Sequence, residues 1–327
     1  MIRKNGELRV RCETVDDVVC AAQMALTLEA SALLKPGNVD PIHDFSDTRY
    51  EHFLASAIAI GPATRKAAER ACEAVRVGSS LESVALGELT AEAVTYSKSW
   101  HRGGNTTFGA FLLLLPLAAG AGAIMATHSS RKVSRLRHWT LKACKATRVI
   151  DAIRFYQALK LARPGGLDAI APPNVPDALD PQAEDRLQAM GLTLFNVMAK
   201  CMALDCICRE WASGMPVIFT EAYPAVFTGY EKSGSLRDAA AHCFLTILAT
   251  HEDTLIKRKI GSTAAAEVSR RAQLAAKKGG HFTKSGVEEI MELDRYLRQN
   301  GNELNPGVTA DITAAGLFVG LLAGLTP

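Results

Sequence analysis

Residues 108–126 carry no charged side chain, and no other feature of the chain limits its fold so strongly. Such a run leaves no polar face for water, so either lipid or the rest of the protein must surround it. Hydropathy alone would nominate a membrane span. Pro116 sits inside the run, Gly109, Gly120 and Gly122 weaken it, and no aromatic or basic belt closes both ends. A helix buried in a protein core is therefore the expectation, and no membrane partner is expected. The apolar stretch 314–325 is too short to span.

A chain of 327 residues can bury a substantial core around such a helix. Hydrophobic residues make up 48% and aromatic ones only 6%, with Ala and Leu abundant, which favours packed helices over sheets. Helical periodicity dominates and no alternating strand pattern stands out. Helices are expected over residues 15–34, 49–75, 81–97, 106–126, 135–162, 183–212, 235–250, 263–277, 286–299 and 308–322. Breaks fall at Pro36, Gly78, Gly103-Gly104, Ser129-Ser130 and Pro164-Gly165-Gly166. Residues 171–181 hold four prolines and read as an extended connection inside one body. The fold class is all-α, a single large multi-helix bundle over residues 1–327, without internal repeats.

The net charge of +3 is too small to suggest a nucleic-acid partner, and the basic run Arg131, Lys132, Arg135, Arg137 reads as a solvated helix start. The cysteines at 12, 20, 72, 144, 201, 206, 208 and 243 form no C-x-x-C pair and have no regularly spaced histidines. Reduced thiols in a cytoplasmic protein follow, with Cys201 and Cys208 expected on one buried helix stripe. Residues 1–7 are polar and lack a signal-peptide core.

Three places share a design that suits an anion. Gly103-Gly104-Asn105-Thr106-Thr107 and Asn305-Pro306-Gly307-Val308-Thr309 each open an almost uncharged helix, and Lys35-Pro36-Gly37-Asn38 closes the first helix before an acidic loop. A buried helix aims unpaired N–H groups and partial positive charge from its first turn, which suits phosphate or carboxylate. Ordinary capping explains the same residues, with Asn305 as N-cap and Pro306 in the first turn. Asp40, His43, Asp44 and Asp47 crowd the loop after Lys35; His251, Glu252 and Asp253 precede Arg258; Asp311 lies just inside the last helix. Carboxylates with waters suit Mg²⁺ that arrives with substrate phosphates, yet Asp40 and Asp44 also suit Asx-turns and Asp311 a helix dipole. Glu288, Glu292, Arg295 and Arg298 read as ion pairs on a solvated face, a reading that leaves Asp294 open.

Glu29 followed by Lys35-Pro36-Gly37-Asn38-Val39-Asp40 resembles the Glu…Lys-Pro-Gly-x-Val-Asp segment of the triphosphoribosyl-dephospho-CoA synthases. Asn105-Thr106-Thr107-Phe108-Gly109 stands where that family has Asn-Thr-His-Lys-Gly. Pro164-Gly165-Gly166-Leu167, Asp205 with Arg209, Asp253-Thr254 with Arg258 and Gly261, and Leu293-Asp294 before the 305–311 segment follow in the family's order, so the likeness runs from about residue 20 to the C-terminus.

The resemblance implies an all-α enzyme that moves the triphosphoribosyl group of ATP to the 2′-hydroxyl of 3′-dephospho-CoA and releases adenine. It implies Asp40, Asp44, Asp253 and Asp311 at Mg²⁺ and transition-state charge. Lys35, Gly37 and Arg258 would meet the triphosphate, and Asn105, Thr106, Asn305 and Gly307 phosphate or ribose. A homo-oligomer is compatible with it. Two departures stand out: Thr107-Phe108 replaces His-Lys, and Pro-Gly-Val-Thr-Ala-Asp replaces Pro-Gly-Gly-Ser-Ala-Asp. These changes resemble a divergent branch serving methanopterin- or methanofuran-type one-carbon cofactors, which leaves another acceptor open. A nucleotide-binding protein without catalysis on the same scaffold is the remaining alternative.

Overall fold

The protein is described by a computed structural model covering residues 9–127, 131–167, 172 and 174–327. The helices are α1 (Val15–Ser31), α2 (Tyr50–Ala59), α3 (Gly61–Val77), α4 (Leu86–Trp100), α5 (Phe108–Met125), α6 (Val133–Lys145), α7 (Val149–Ala162) and α8 (Ala183–Met190). They continue as α9 (Leu194–Cys201), α10 (Cys206–Ser213), α11 (Tyr223–Ser233), α12 (Leu236–Thr250), α13 (Thr254–Lys259), α14 (Ser262–Lys277), α15 (Lys284–Arg298) and α16 (Gly307–Leu322). Among the described residues the extended structure is limited to one isolated bridge, Arg9 to Lys132. The fold is all-α, as the periodicity indicates.

Helix α5 is the apolar run, and it is a core helix: 94% of it is buried within the protein. It packs against α3, α6 and α16 above all. Its glycines are contact points rather than weaknesses. A Cβ on Gly122 would overlap the Ala68 backbone of α3, so only glycine lets the two helices approach this closely. Helix α16, the second almost uncharged helix, lies against α1, α5 and α12. A separate apolar cluster joins α12 to α15 through Phe244, Leu248, Ile256, Val268, Ile290 and Leu293.

Several expected boundaries move, each for a local reason. The helix expected over 49–75 is two, because Pro62 has no N–H to continue the ladder and α3 restarts at Gly61. The one expected over 135–162 divides at Arg148, where the Asp151 carboxylate caps the start of α7 by accepting the Arg148 N–H at 2.8 Å. The one expected over 183–212 is α8, α9 and α10, with left-handed Gly191 ending the first, and Thr193 and Asp205 capping the others. Cys201 and Cys208 consequently sit on different helices rather than one stripe. A π-helical turn over Ile218–Ala222 leads into α11 where no helix was expected. The first helix stops at Ser31, three residues before the expected 34, and Leu34 takes a left-handed conformation. Asp294 is no mere surface partner, since its Oδ1 accepts the Gly37 N–H at 2.8 Å. The Ser129-Ser130 break, residues 1–7, and Ala171 and Pro173 of the proline segment lie outside the described residues.

Candidate active site

The starts of α5 and α16 converge on one cavity of about 380 Å³. Glu29 from α1, Asp47 and Thr48 from the acidic loop, and Asn105 to Ala110 line one side. Arg163 to Leu167 after α7, Asp205 and Cys208 at α10, Arg258 and Lys259 of α13, and Asn305, Gly307 and Asp311 complete it. Seven segments of the sequence thus meet there, and they include most of the motifs that carry the family resemblance.

Asp311 is the carboxylate at the centre. It points from α16 to the first turn of α5, where Gly109 leaves room for it; a Cβ on Gly109 would collide with Asp311 Oδ2. Burial raises its pKa well above the ordinary carboxylate range, and the negative charge of Glu29 adds to the rise, while the Ala110 N–H bonds to it and opposes the rise. The dipole it complements is therefore that of α5 as well as its own helix.

The other three predicted acids lie outside the cavity lining, occupied with the backbone. Asp253 is 2% exposed. Its Oδ1 caps α13 by accepting the Leu255 and Ile256 N–H groups, and its Oδ2 takes the Thr309 N–H and hydroxyl, both at 2.8 Å. Burial raises its pKa and those four bonds oppose the rise. Asp40 Oδ1 accepts from the Ile42 and His43 N–H groups at 2.8 and 2.9 Å in an Asx-turn, and His43 Nδ1 lies 3.0 Å from Oδ2. Asp44 Oδ1 accepts the Tyr50 N–H at the start of α2.

The predicted cations divide similarly. Lys35 is buried and its Nζ donates to Glu29 Oε1 at 2.5 Å, so it sits behind the wall and holds Glu29 in it. Arg258 reaches the cavity and is ion-paired with Asp205 Oδ2, while Asp205 Oδ1 caps α10. Lys259 and Arg163, which the sequence did not single out, also line it. Gly37 lies outside the lining, locked by Asp294.

At the two helix starts the capping differs from expectation. Pro306 takes the N-cap position, with φ −79° and ψ 64°, and the Gly307 N–H turns back to Asn305 O at 2.9 Å in an inverse γ-turn. Asn305 therefore does not cap α16, and its Oδ1 is shut from solvent without a hydrogen-bond partner among the described residues. A buried polar atom of that kind is costly unless something in the cavity meets it. At α5 the N-cap position is Thr107, without a side-chain cap bond, and Asn105 Oδ1 two residues earlier accepts the Phe108 N–H at 3.3 Å.

Among the described residues no group of three or more His, Cys, Asp and Glu side chains is arranged to hold a metal ion by itself. Glu29 and Asp47 are nonetheless carboxylates on the wall. Glu29 is ion-paired with Lys35, so on that wall its second oxygen and the Asp47 carboxylate are what could meet a cation carried in by substrate phosphates.

Comparison with known proteins matches residues 15–326 to a family described as ATP:dephospho-CoA triphosphoribosyl transferase. A relative from Vibrio cholerae serotype O1, described as a probable 2-(5″-triphosphoribosyl)-3′-dephosphocoenzyme-A synthase, is 25% identical over 90% of this chain and 84% of its own. One of the same description from Pseudomonas putida is 25% identical over 93% of this chain and 94% of its own. Among solved structures, a putative triphosphoribosyl-dephospho-CoA synthase from Archaeoglobus fulgidus shares the fold. Its TM-score is 0.60 at 24% identity, covering 83% of this chain and 99% of that one. With the match running from the first helix to the last residues, the chain belongs to the ATP:dephospho-CoA triphosphoribosyl transferase family.

Proposed function

We propose that this chain transfers the triphosphoribosyl group of ATP to the 2′-hydroxyl of 3′-dephospho-CoA and releases adenine. The observation that carries the reading is Asp311, a carboxyl whose pKa burial raises well above the ordinary carboxylate range, at the meeting point of two helix starts in the cavity. The reaction breaks the bond from adenine N9 to the ribose anomeric carbon and makes one from that carbon to the acceptor oxygen. Adenine leaves with the electron pair and needs a proton; the acceptor hydroxyl must lose one. Asp311 gives the first proton. The carboxylate it becomes then stabilises positive charge at the anomeric carbon and takes the second, so the protons balance.

The remaining residues bind and frame. Arg258, Lys259 and Arg163 supply positive charge for the triphosphate, and Asn105, Thr106, Asn305 and Gly307 take ribose or phosphate. Lys35, Gly37, Asp40, Asp44 and Asp253 hold the loops and helix starts that carry those groups. Mg²⁺ arriving with ATP would be held by Glu29, Asp47 and phosphate oxygens, and would offset the triphosphate's charge. Eight free thiols support a reducing location, the cytoplasm.

One observation favours a second reading of the acceptor. Phe108 stacks on Phe155 with ring centroids 6.0 Å apart at the cavity wall, where the resembling motif has a lysine. An apolar wall there suits a different alcohol, such as a precursor in one-carbon cofactor synthesis. Chromatographic detection of adenine from ATP and Mg²⁺ decides both points. Release that depends on 3′-dephospho-CoA supports the first reading, and release only with a one-carbon cofactor precursor supports the second. ATP binding without adenine release under any acceptor would leave a non-catalytic nucleotide-binding protein.

A further inference from the structure

His101, just after α4, lies outside the cavity lining but is wired to it by hydrogen bonds. Its Nδ1 accepts the Gly103 N–H at 3.2 Å, so the proton of the neutral ring is on Nε2. Burial, with Lys98 and His52 nearby, lowers its pKa to about 4, which keeps the ring neutral near pH 7. Nε2 stands 3.1 Å from Ser97 Oγ and 3.0 Å from Ser56 Oγ, and the two serine oxygens are 2.8 Å apart. The Ser56 hydroxyl gives its own proton to the His52 carbonyl at 2.9 Å.

A hydroxyl has one proton and two lone pairs. With its proton on the His52 carbonyl, Ser56 Oγ has two lone pairs for its other neighbours; the single His101 Nε2 proton goes to Ser97 Oγ, which leaves Ser97 and Thr106 as the two donors to Ser56. Thr106 Oγ1 lies 2.7 Å from it, and with the Ser56 proton on the His52 carbonyl Thr106 is the donor in that contact. Thr106 then has no proton left to give. Its lone pairs remain for Thr107 Oγ1, 3.4 Å away, and for a group in the cavity that Thr106 lines.

We infer that Thr106 is a fixed hydrogen-bond acceptor and a specificity-determining residue, receiving an O–H or N–H of the substrate rather than a phosphate oxygen. Ser56, Ser97 and His101 are the positioning residues that fix its polarity. Phosphate oxygens are themselves acceptors, so they would face lone pair against lone pair here. The inference rests on the proposed nucleotide substrate, whose donors near the scissile bond are the ribose hydroxyls and the adenine amino group.

The test compares kcat/KM for release of the free base from ATP and from 2′-deoxy-ATP, 3′-deoxy-ATP and purine riboside triphosphate, three analogues that lack in turn each hydroxyl and the amino group; the last releases purine in place of adenine. Because variants are compared on the same analogue, the intrinsic effect of the missing group cancels. The unaltered enzyme and Thr106→Ser should disfavour one analogue by about ten- to hundredfold, and that analogue names the donor. Thr106→Val keeps the shape without the hydroxyl and should lower kcat/KM for ATP while treating that analogue like ATP to within about threefold. Ser56→Ala frees the Thr106 proton to turn into the cavity and should lose the same discrimination, with folding of each variant checked by circular dichroism. Full discrimination in Thr106→Val, or equal losses on ATP and every analogue, would overturn the inference while leaving the transferase reading intact. Absence of adenine release from the unaltered protein with every acceptor would overturn that reading and the inference with it.

Discussion

Asp311 separates a charge kept for chemistry from one kept for stability. Its pKa is raised in the fold, so between the unfolded value of 3.8 and the folded one the native state holds a proton that the unfolded chain has lost. Stability therefore falls as pH rises through that window, and at neutral pH the residue works against folding. Asp311→Asn keeps an oxygen for the Ala110 amide and removes the ionisable group, so neither the proton nor the carboxylate it leaves behind is available. Thermal melts at pH 7 should show the variant at least as stable as the parent, with the difference fading in acid. Adenine release should drop by roughly a hundredfold or more, the scale for losing an electrostatic group at the transition state. A destabilised variant with near-normal turnover would remove Asp311 from the chemistry. At this scale the sequence was partly legible. Asp311 stood out because its helix is otherwise so apolar, whereas Asp40, Asp44 and Asp253 looked equivalent to it. What sets them apart is which backbone N–H groups they accept from, and those lie on turns and on residues such as Thr309, 56 positions from Asp253. The Ser56 to His101 contact spans 45 positions and carries no pattern that a single sequence exposes.

Helix α10 shows why elements were harder to bound than to recognise. The apolar periodicity runs on through residues 183–212, but Asp205 caps a fresh start there and left-handed Gly214 ends it. A cap is one side chain meeting an N–H group, so it leaves the hydrophobic period undisturbed. The stretch after α10 was missed because a π-helical turn shifts the register before α11. Glu210 holds that turn in place. It is fully buried, with Oε1 accepting the Val217 N–H at 3.1 Å and Oε2 the Ile218 N–H at 2.9 Å. Glu210→Ala should cost about 2–4 kcal/mol in denaturant unfolding, because two buried N–H groups lose their acceptor. Burial lifts the Glu210 carboxyl to about 7, so its own contribution to stability declines as pH rises from about 4.5 toward 7 and is smallest above that range. The parent protein should unfold at lower denaturant at pH 8 than at pH 6 by an amount that shrinks in the alanine variant. An unchanged midpoint in Glu210→Ala would mean that other contacts hold the turn.

Across the whole molecule the cavity lies where the central helices around α5 meet the cluster of α12 to α15. Arg258 and Lys259 come from α13, beside that cluster, while Glu29, Thr106 and Asp311 come from the central body. The class and the core were legible because two nearly uncharged helices have to be surrounded. Their shared destination was legible only through the order of motifs, since periodicity says which face is buried but not against what. A nucleotide bound across this meeting place should hold the two parts together. Ligand present at about a hundred times its Kd stabilises the native state by about 2.7 kcal/mol. For a chain of this size that corresponds to a rise in melting temperature of about 4 °C, measurable by scanning calorimetry with ATP and Mg²⁺. The shift should separate binding from chemistry. Asp311→Asn, altered at the reacting centre, should keep most of it, whereas Arg258→Ala should lose most of it because the triphosphate loses a cation reaching from α13. Melting that ATP leaves unchanged, or a full shift in Arg258→Ala, would place the triphosphate elsewhere.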